Sequence, residues 1–171
     1  MTKDDSFDVV IIGGGPGGYT AAIRASQLGG QVALVENEIL GGVCVNRGCI
    51  PTKFLLGSAD LFETMRKAKN FGILTSDVQV DLPSLMAAKE GAVKRLVKGV
   101  EFLLEKNGVK AYSGFGSVPE AGSVAIRDVE RKSIVLRSKN TIIATGSEPL
   151  RPAIPGIEGE NILTSDEALN V

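Results

Sequence analysis

The chain has 171 residues, 43% of them hydrophobic and 23% charged, with a formal net charge of −1. This usage is typical of one globular domain, with or without an appendage, and the charge gives no reason to expect a nucleic acid partner. The longest apolar run, Val9–Ile12, is too short to span a membrane. The polar, acidic Met1–Asp8 does not resemble a signal peptide, so we expect a soluble, cytoplasmic protein.

The first predicted elements form a βαβ unit. Phe7–Ile12 is an apolar, β-branched run, as expected of a parallel strand that is covered on both faces. Tyr19–Leu28 is predicted to be a helix, and its small residues would let it lie close to a sheet. Gln31–Val35 is predicted to be a second buried strand that closes at Glu36. The crossover between the two strands should be right-handed.

The middle of the chain is predicted to be a loop and two helices. The loop covers Asn37–Gly48, and the first helix runs from Pro51 to about Lys69. Asp81–Asn107 has the spacing of a long amphipathic helix. Its apolar face is predicted to contain Leu85, Ala88, Ala92, Leu96, Val100 and Leu103, with Lys89, Lys94, Lys98 and Lys106 elsewhere on the helix.

Short strands follow the long helix. Three of them, Val109–Ser113, Ser123–Arg127 and Ser133–Arg137, are predicted to form a β-meander. The meander is inserted before a last buried strand, Thr141–Thr145, and the Pro- and Gly-rich Pro149–Gly159 indicates a connector. We therefore predict an α/β, Rossmann-like fold that has a parallel sheet, helices on both faces and an inserted β-meander.

The loop between the first strand and the first helix contains the pattern G-x-G-x-x-G at Gly13, Gly15 and Gly18. An acidic residue, Glu36, ends the next strand, 18 residues after Gly18. This context is typical of a dinucleotide-binding loop: the pyrophosphate approaches glycine backbone at a helix N-terminus, and the acid accepts hydrogen bonds from a ribose. The alternative is a purely structural glycine turn, and the loop alone does not distinguish FAD from NAD.

The chain has only two cysteines, Cys44 and Cys49, and no histidine, which argues against a dedicated zinc site. Residues five apart in a helix are about 7.5 Å apart along the axis, so a disulfide between them needs a distorted turn, which Gly48 would allow. Cys49 precedes a predicted helix, and that helix and Lys53 would favour a thiolate. Redox chemistry explains the pair better than stability does; free thiols and a metal pair are the alternatives.

The segment GGVCVNRGCIPTK, preceded by GGGPGG and followed by IIATGSEP, resembles the pyridine nucleotide–disulfide oxidoreductase family. Within it, the chain is most similar to the dihydrolipoamide dehydrogenases, with mercuric and glutathione reductases as relatives. The resemblance implies that Cys44 exchanges with a dithiol substrate, that Cys49 contacts the flavin as a thiolate, and that Lys53 lies near the flavin ring. It implies FAD contacts from Gly13, Gly15, Pro16, Gly17, Gly18, Glu36, Asn37, Gly42, Val43, Cys44, Lys53, Gly116, Thr145, Gly146 and Ser147.

Two residues depart from the family pattern. Val43 stands where the family often has Thr, so a hydroxyl contact is lost there. Arg47 replaces a commonly apolar residue and adds a positive charge between the thiols, where it could tune the preference for substrate or thiolate.

The family's members are longer than this chain. They add a second unit for NAD(P) and an interface domain with a His–Glu pair, whereas this chain has no second G-x-G-x-x-G and no His. We expect residues 1–148 to be an incomplete FAD-binding domain, residues 149–171 to lead toward an NAD-binding domain, and the fragment alone to lack turnover. The resemblance implies dihydrolipoamide as the dithiol, NAD as the acceptor, and a homodimer in a 2-oxoacid dehydrogenase complex. A mercuric or glutathione reductase-like unit, or a redox-sensor module without turnover, is the alternative.

Overall fold

A computed structural model of the chain describes residues 6–127 and 133–170. Three stretches lie outside the described part: residues 1–5 and 128–132 of the first predicted domain, and residue 171 of the second. The elements in chain order are β1 (Ser6–Ile12), α1 (Pro16–Gln27), β2 (Val32–Glu36), α2 (Gly42–Arg47), α3 (Cys49–Lys67), a 3-10 helix (Ala68–Phe71), α4 (Leu82–Lys106), β3 (Lys110–Ser113), β4 (Phe115–Ser117), β5 (Ser123–Arg127), β6 (Ser133–Ile143) and α5 (Ser165–Ala168). None of the described helices is long and apolar enough to cross a membrane.

The predicted βαβ unit is confirmed, and it forms the centre of a six-stranded sheet. The strand order is β3-β2-β1-β6-β5-β4. The first four strands are parallel, with β1 paired to both β2 and β6, while β4, β5 and β6 form an antiparallel meander. The carboxyl ends of β1, β2 and β6 therefore meet at one edge, which is where open α/β sheets bind ligands.

Two predictions about the strands of this sheet are wrong, one about pairing and one about boundaries. Val109–Ser113 was expected in the meander, but β3 pairs in parallel with β2 at the sheet edge. Ser133–Arg137 and Thr141–Thr145 were expected as separate strands, but they belong to one strand, β6, which pairs with β5 and with β1. The polar residues between them do not break it, because Lys139 and Asn140 bond to Asp8 of β1.

Two hydrophobic clusters lie on opposite faces of β1 and β2. On one face, Ile11 and Leu34 pack against α1 and α4. On the other face, Val10 and Val35 pack against the meander through Val124, Ile126 and Leu136. The prediction of helices on both faces is therefore corrected: among the described residues, helices cover one face and the meander covers the other.

The predicted apolar face of the long helix is only partly correct. Val100 and Leu104 are the buried apolar residues of α4, whereas Leu96 and Leu103 are each 43% exposed. Lys89, expected on the polar side, is only 3% exposed. Apolar residues lie around most of this helix, so spacing alone does not select the stripe that contacts the sheet. A lysine can be buried when its ammonium reaches acceptors, as it does here.

The helix starts also differ from those expected. α1 begins at Pro16 and not at Tyr19, with the proline in the first turn, where its missing N–H costs no bond. The loop predicted over Asn37–Gly48 contains the short helix α2. Finally, α3 begins at Cys49, two residues before Pro51, so that Cys49 belongs to its first turn.

Candidate functional site

The glycine loop connects β1 to α1 with very close backbone packing. Gly13 has a φ of +108°, and its N–H donates to the Val35 carbonyl at 2.8 Å. A Cβ on Gly18 would lie 1.7 Å from the Gly13 carbonyl oxygen, so α1 approaches the loop where only glycine fits. No side chain caps the N-terminus of α1 at Gly15. A helix N-terminus without a side-chain cap is a typical site for binding an anion.

Glu36, at the end of β2, bonds directly to this loop. Its Oε2 accepts from the Gly14 N–H at 2.6 Å, and its Oε1 accepts from the Glu38 N–H at 2.9 Å. Sequence reasoning predicted Glu36 as a ribose acceptor but did not predict these two bonds, which fix the carboxylate at the edge of the sheet. A carboxylate oxygen can accept more than one bond, so the ribose role stays a prediction.

The two cysteines form a disulfide between α2 and α3. The Cα atoms of Cys44 and Cys49 are 4.6 Å apart, within the usual range for disulfides. Gly48 separates the two helices, and a Cβ there would lie 2.9 Å from the Val43 carbonyl oxygen. The distorted turn expected at Gly48 is thus confirmed. Cys49 is exposed at the first position of α3 and Cys44 is half-buried in α2.

Helix α2 is packed directly onto the glycine loop. A Cβ on Gly42 would lie 2.6 Å from the Gly15 Cα, so the two backbones touch. The Asn46 side-chain amide donates to the carbonyls of Ile39, Leu40 and Gly42 at 3.0–3.3 Å. Sequence reasoning missed Asn46. The signal available was a short amide side chain placed four residues after Gly42, within reach of the carbonyls that precede the helix.

These elements enclose a cavity of about 960 Å³ at the carboxyl edge of the sheet. Fourteen of the predicted site residues line it: Gly13, Gly15, Pro16, Gly17, Glu36, Asn37, Gly42, Val43, Cys44, Cys49, Gly116, Thr145, Gly146 and Ser147. Two predicted site residues do not line the cavity: Gly18, which is buried, and Lys53, which is exposed on α3. The cavity is also lined by four residues whose role was not predicted from the sequence: Ile39, Phe115, Ala144 and Glu148.

The far wall of the cavity comes from the meander and the end of β6. Gly116 of β4 sits over the sheet, where a Cβ would lie 2.9 Å from the Ile12 Cγ2. Ala144 follows β6 and donates its N–H to the Ile12 carbonyl at 2.8 Å. Gly146 has a φ of +75°, which turns the chain along the cavity after the strand. Segments distant in sequence therefore meet at the glycine loop.

Among the described lining residues, Arg47 is the one cation, and the acids are Glu36, Glu38 and Glu148. The Arg47 guanidinium lies 3.7 Å from the Glu38 carboxylate and 3.5 Å from that of Asp166. Arg47 thus contributes a positive charge to the cavity that Cys44 and Cys49 also line, and two carboxylates offset this charge.

Comparison with known proteins agrees with this geometry. Residues 7–171 match the family model described as pyridine nucleotide-disulphide oxidoreductase. The dihydrolipoyl dehydrogenase of Acholeplasma laidlawii is 48% identical, with 100% of this chain and 50% of that protein aligned. The dihydrolipoyl dehydrogenase of Bacillus subtilis (strain 168) is 43% identical over 96% of this chain and 36% of its own length. The leghemoglobin reductase of Vigna unguiculata is 44% identical, with 96% of this chain and 32% of that protein aligned.

The chain thus spans half or less of the length of these relatives. The match nevertheless covers the glycine loop, the disulfide helices and the β6 wall of the cavity. The chain therefore belongs to the pyridine nucleotide–disulphide oxidoreductase family.

Proposed function

We propose that this chain is the FAD-binding, disulfide-carrying part of a dihydrolipoyl dehydrogenase. In this proposal, it takes two electrons from a dithiol at Cys44–Cys49. The observation that carries the proposal is that the disulfide and the glycine loop line one cavity, in contact through Gly42 and Gly15. A ligand that occupies this cavity lies beside the disulfide. Support also comes from similar proteins that are named dihydrolipoyl dehydrogenase.

The cavity has the shape and donors that a dinucleotide requires. Side chains are absent at Gly13, Gly15 and Gly42, which leaves backbone for a pyrophosphate to approach. Its volume of about 960 Å³ lies at the upper end of the usual range for ligand sites. Gly15 and Gly17 would hold the pyrophosphate, Glu36 the ribose, and the wall from Thr145 to Ser147 the remaining part. When bound, FAD would supply the electron acceptor.

The chain's own residues account for the thiol chemistry. One thiolate of a dithiol attacks the Cys44 Sγ, the S–S bond breaks, and Cys49 leaves as a thiolate. The second thiol of the substrate then attacks the mixed disulfide, closes the substrate's own disulfide and releases Cys44. Cys49 lies in the first turn of α3, where the helix dipole and free N–H groups stabilise a thiolate. The choice of Cys44 as the attacked sulfur rests on the family resemblance.

The test is a visible spectrum of the chain with FAD, before and after one equivalent of dithiol. We expect bound flavin and a long-wavelength absorption band on reduction. Cys49→Ser should keep the flavin and lose the band, whereas Cys44→Ser should show the band without any reductant, since Cys49 is then free. The same test on an extended chain that completes the FAD-binding domain is the control. An extended chain that takes up no FAD, or a Cys49→Ser variant that keeps the band, would contradict the proposal.

The finer assignments belong to the same proposal. Dihydrolipoamide as the dithiol is supported by the resemblance and by the relatives' names. NAD as the final acceptor and a homodimer in a 2-oxoacid dehydrogenase complex are supported by the resemblance. The substrate is tested by comparing the rates at which dihydrolipoamide and glutathione reduce Cys44–Cys49. A higher rate with glutathione would instead favour a glutathione reductase-like relative.

A further inference from the structure

The segment from Thr164 to Asn170 is held against the helices of the domain. Lys89 of α4 is 3% exposed, and its ammonium donates to the Leu169 carbonyl and, at 3.0 Å, to the Asn170 side chain. The start of α5 is fixed by a capping box in which the Glu167 carboxylate accepts from the Thr164 N–H. The position of the acid between them, Asp166, is therefore set by contacts at both ends of α5.

This docking places Asp166 against the helix that carries Cys44. The Asp166 carboxylate lies 3.5 Å from the Arg47 guanidinium, and the two side chains are 27% and 31% exposed. The other partner of Arg47, Glu38, is 58% exposed and lies at 3.7 Å. Arg47 is common to both pairs, and Asp166 is more buried than Glu38, so solvent screens the interaction with Asp166 less. Asp166 is therefore the stronger electrostatic partner.

Arg47 is also a neighbour of both cysteines. Cys44 and Arg47 are three residues apart in α2, a spacing that puts them on one face of a helix. Arg47, Cys44 and Cys49 all line the same cavity. A positive charge in this position stabilises a thiolate, and a carboxylate beside that charge reduces the effect.

We propose that Asp166, held in place by the docking of α5, tunes the reduction of the Cys44–Cys49 disulfide through Arg47. Arg47 favours the reduced pair because reduction releases a thiolate in the cavity that Arg47 also lines. Asp166 offsets this charge and favours the disulfide. The inference rests on the proposed redox role of the pair, and in it Arg47 and Asp166 act on the disulfide through their charges.

The test is the equilibrium of the cofactor-free chain with dithiothreitol, read by trapping and counting free thiols. In this exchange the Cys44–Cys49 bond breaks, dithiothreitol supplies two electrons and two protons, and its own disulfide closes. We expect Arg47→Gln to lower the equilibrium constant for reduction about threefold and Asp166→Asn to raise it about threefold. Each change corresponds to about 14 mV for a two-electron couple. Arg47→Lys keeps the positive charge, so its equilibrium constant for reduction should lie close to that of the unsubstituted chain.

A second variant tests the docking itself. Lys89→Met removes the bonds that hold α5 and leaves Arg47, Glu38 and Asp166 unchanged, so it should shift the equilibrium in the same direction as Asp166→Asn. Arg66→Gln, at an exposed ion pair with Glu63 on α3, should shift nothing. Shifts of the same sign in Arg47→Gln and Asp166→Asn, or none in either, would overturn the inference. The experiment needs no FAD, so a failure of the proposed flavin site appears separately, as absence of bound cofactor.

Discussion

Replacing Gly18 by alanine places one methyl group where α1 approaches the glycine loop. The added Cβ would lie 1.7 Å from the Gly13 carbonyl oxygen and 2.8 Å from its carbon. Both atoms are backbone, so the clash is relieved only if α1 and the loop move apart by more than an ångström. Overpacking a tight site costs about 1–3 kcal/mol, and we expect the upper end here, since no flexible side chain can yield.

Urea unfolding, followed by far-ultraviolet circular dichroism, measures this cost in the chain without cofactor. With a urea dependence of about 2 kcal/mol per molar, a loss of about 3 kcal/mol lowers the midpoint by about 1.5 M. Gly17→Ala is the control within the loop, because its Cβ would meet nothing nearer than 3.9 Å. Gly57→Ala lies inside α3 with nothing within 4 Å, and it should stabilise the chain by about 1 kcal/mol.

An unchanged urea midpoint for Gly18→Ala would refute the predicted clash. Equal losses of stability in Gly17→Ala and Gly18→Ala would refute it as well, because only the Cβ at residue 18 would lie within 3 Å of backbone atoms. A loss confined to Gly18→Ala assigns the effect to the contact between α1 and the Gly13 carbonyl.

Three further predictions address the core, the surface and the loop carboxylate. Leu104→Ala should cost about 2–5 kcal/mol in urea unfolding, and Leu103→Ala about 0.5 kcal/mol or less, because the former is 2% and the latter 43% exposed; equal costs would refute the packing of α4. The hydrogen bond from Lys139, 2.8 Å away, is the main cause that lowers the pKa of Asp8 below 3.8 and raises that of Lys139 above 10.5. The contribution of Asp8 to the free energy of unfolding is therefore present above pH 3.8 and is lost as the pH falls through the pKa of Asp8 in the folded chain. The contribution of Lys139 is present below pH 10.5 and is lost as the pH rises through the pKa of Lys139 in the folded chain. The free energy of unfolding should depend less on pH in Asp8→Asn, in both the acidic and the alkaline range. An unchanged dependence on pH would contradict the pairing of Asp8 with Lys139. Glu36→Gln should lose about 1–2 kcal/mol, because an amide offers one acceptor oxygen to two N–H groups; full stability would show that these bonds contribute nothing.

Features set by short stretches of sequence could be predicted. The run before Gly13, the loop up to Gly18 and the strand ending at Glu36 follow one another within 36 residues, and each constrains the next. The disulfide turn was similarly predictable, because a bridge between residues five apart requires a break at Gly48.

Features that depend on distant partners could not be predicted. Nothing near Lys89 in the sequence indicates that its acceptors lie 80 residues later, at Leu169. The pairing of Arg47 with Asp166 and the continuity of β6 across Ser138–Asn140 likewise depend on contacts between segments more than 100 residues apart. The periodicity of a helix indicates which of its residues are apolar. Which of these residues are buried depends on how the helix packs against the assembled sheet.

The pairing of β1 with β6 joins residues 131 positions apart, such as Ile11 and Ile142. During synthesis, α2 and α3, which carry the cysteines, therefore emerge from the ribosome long before the cavity wall from Ala144 to Ser147. This wall reaches the glycine loop through the pairing of β6 with β1. About 100 residues separate the two, an interval of about 5–20 s at ordinary rates of synthesis. During that time Cys44 and Cys49 are already outside the tunnel while their cavity is still open. The oxidation state of the pair can thus be set by the thiols that surround the nascent chain, before the cavity can receive any cofactor.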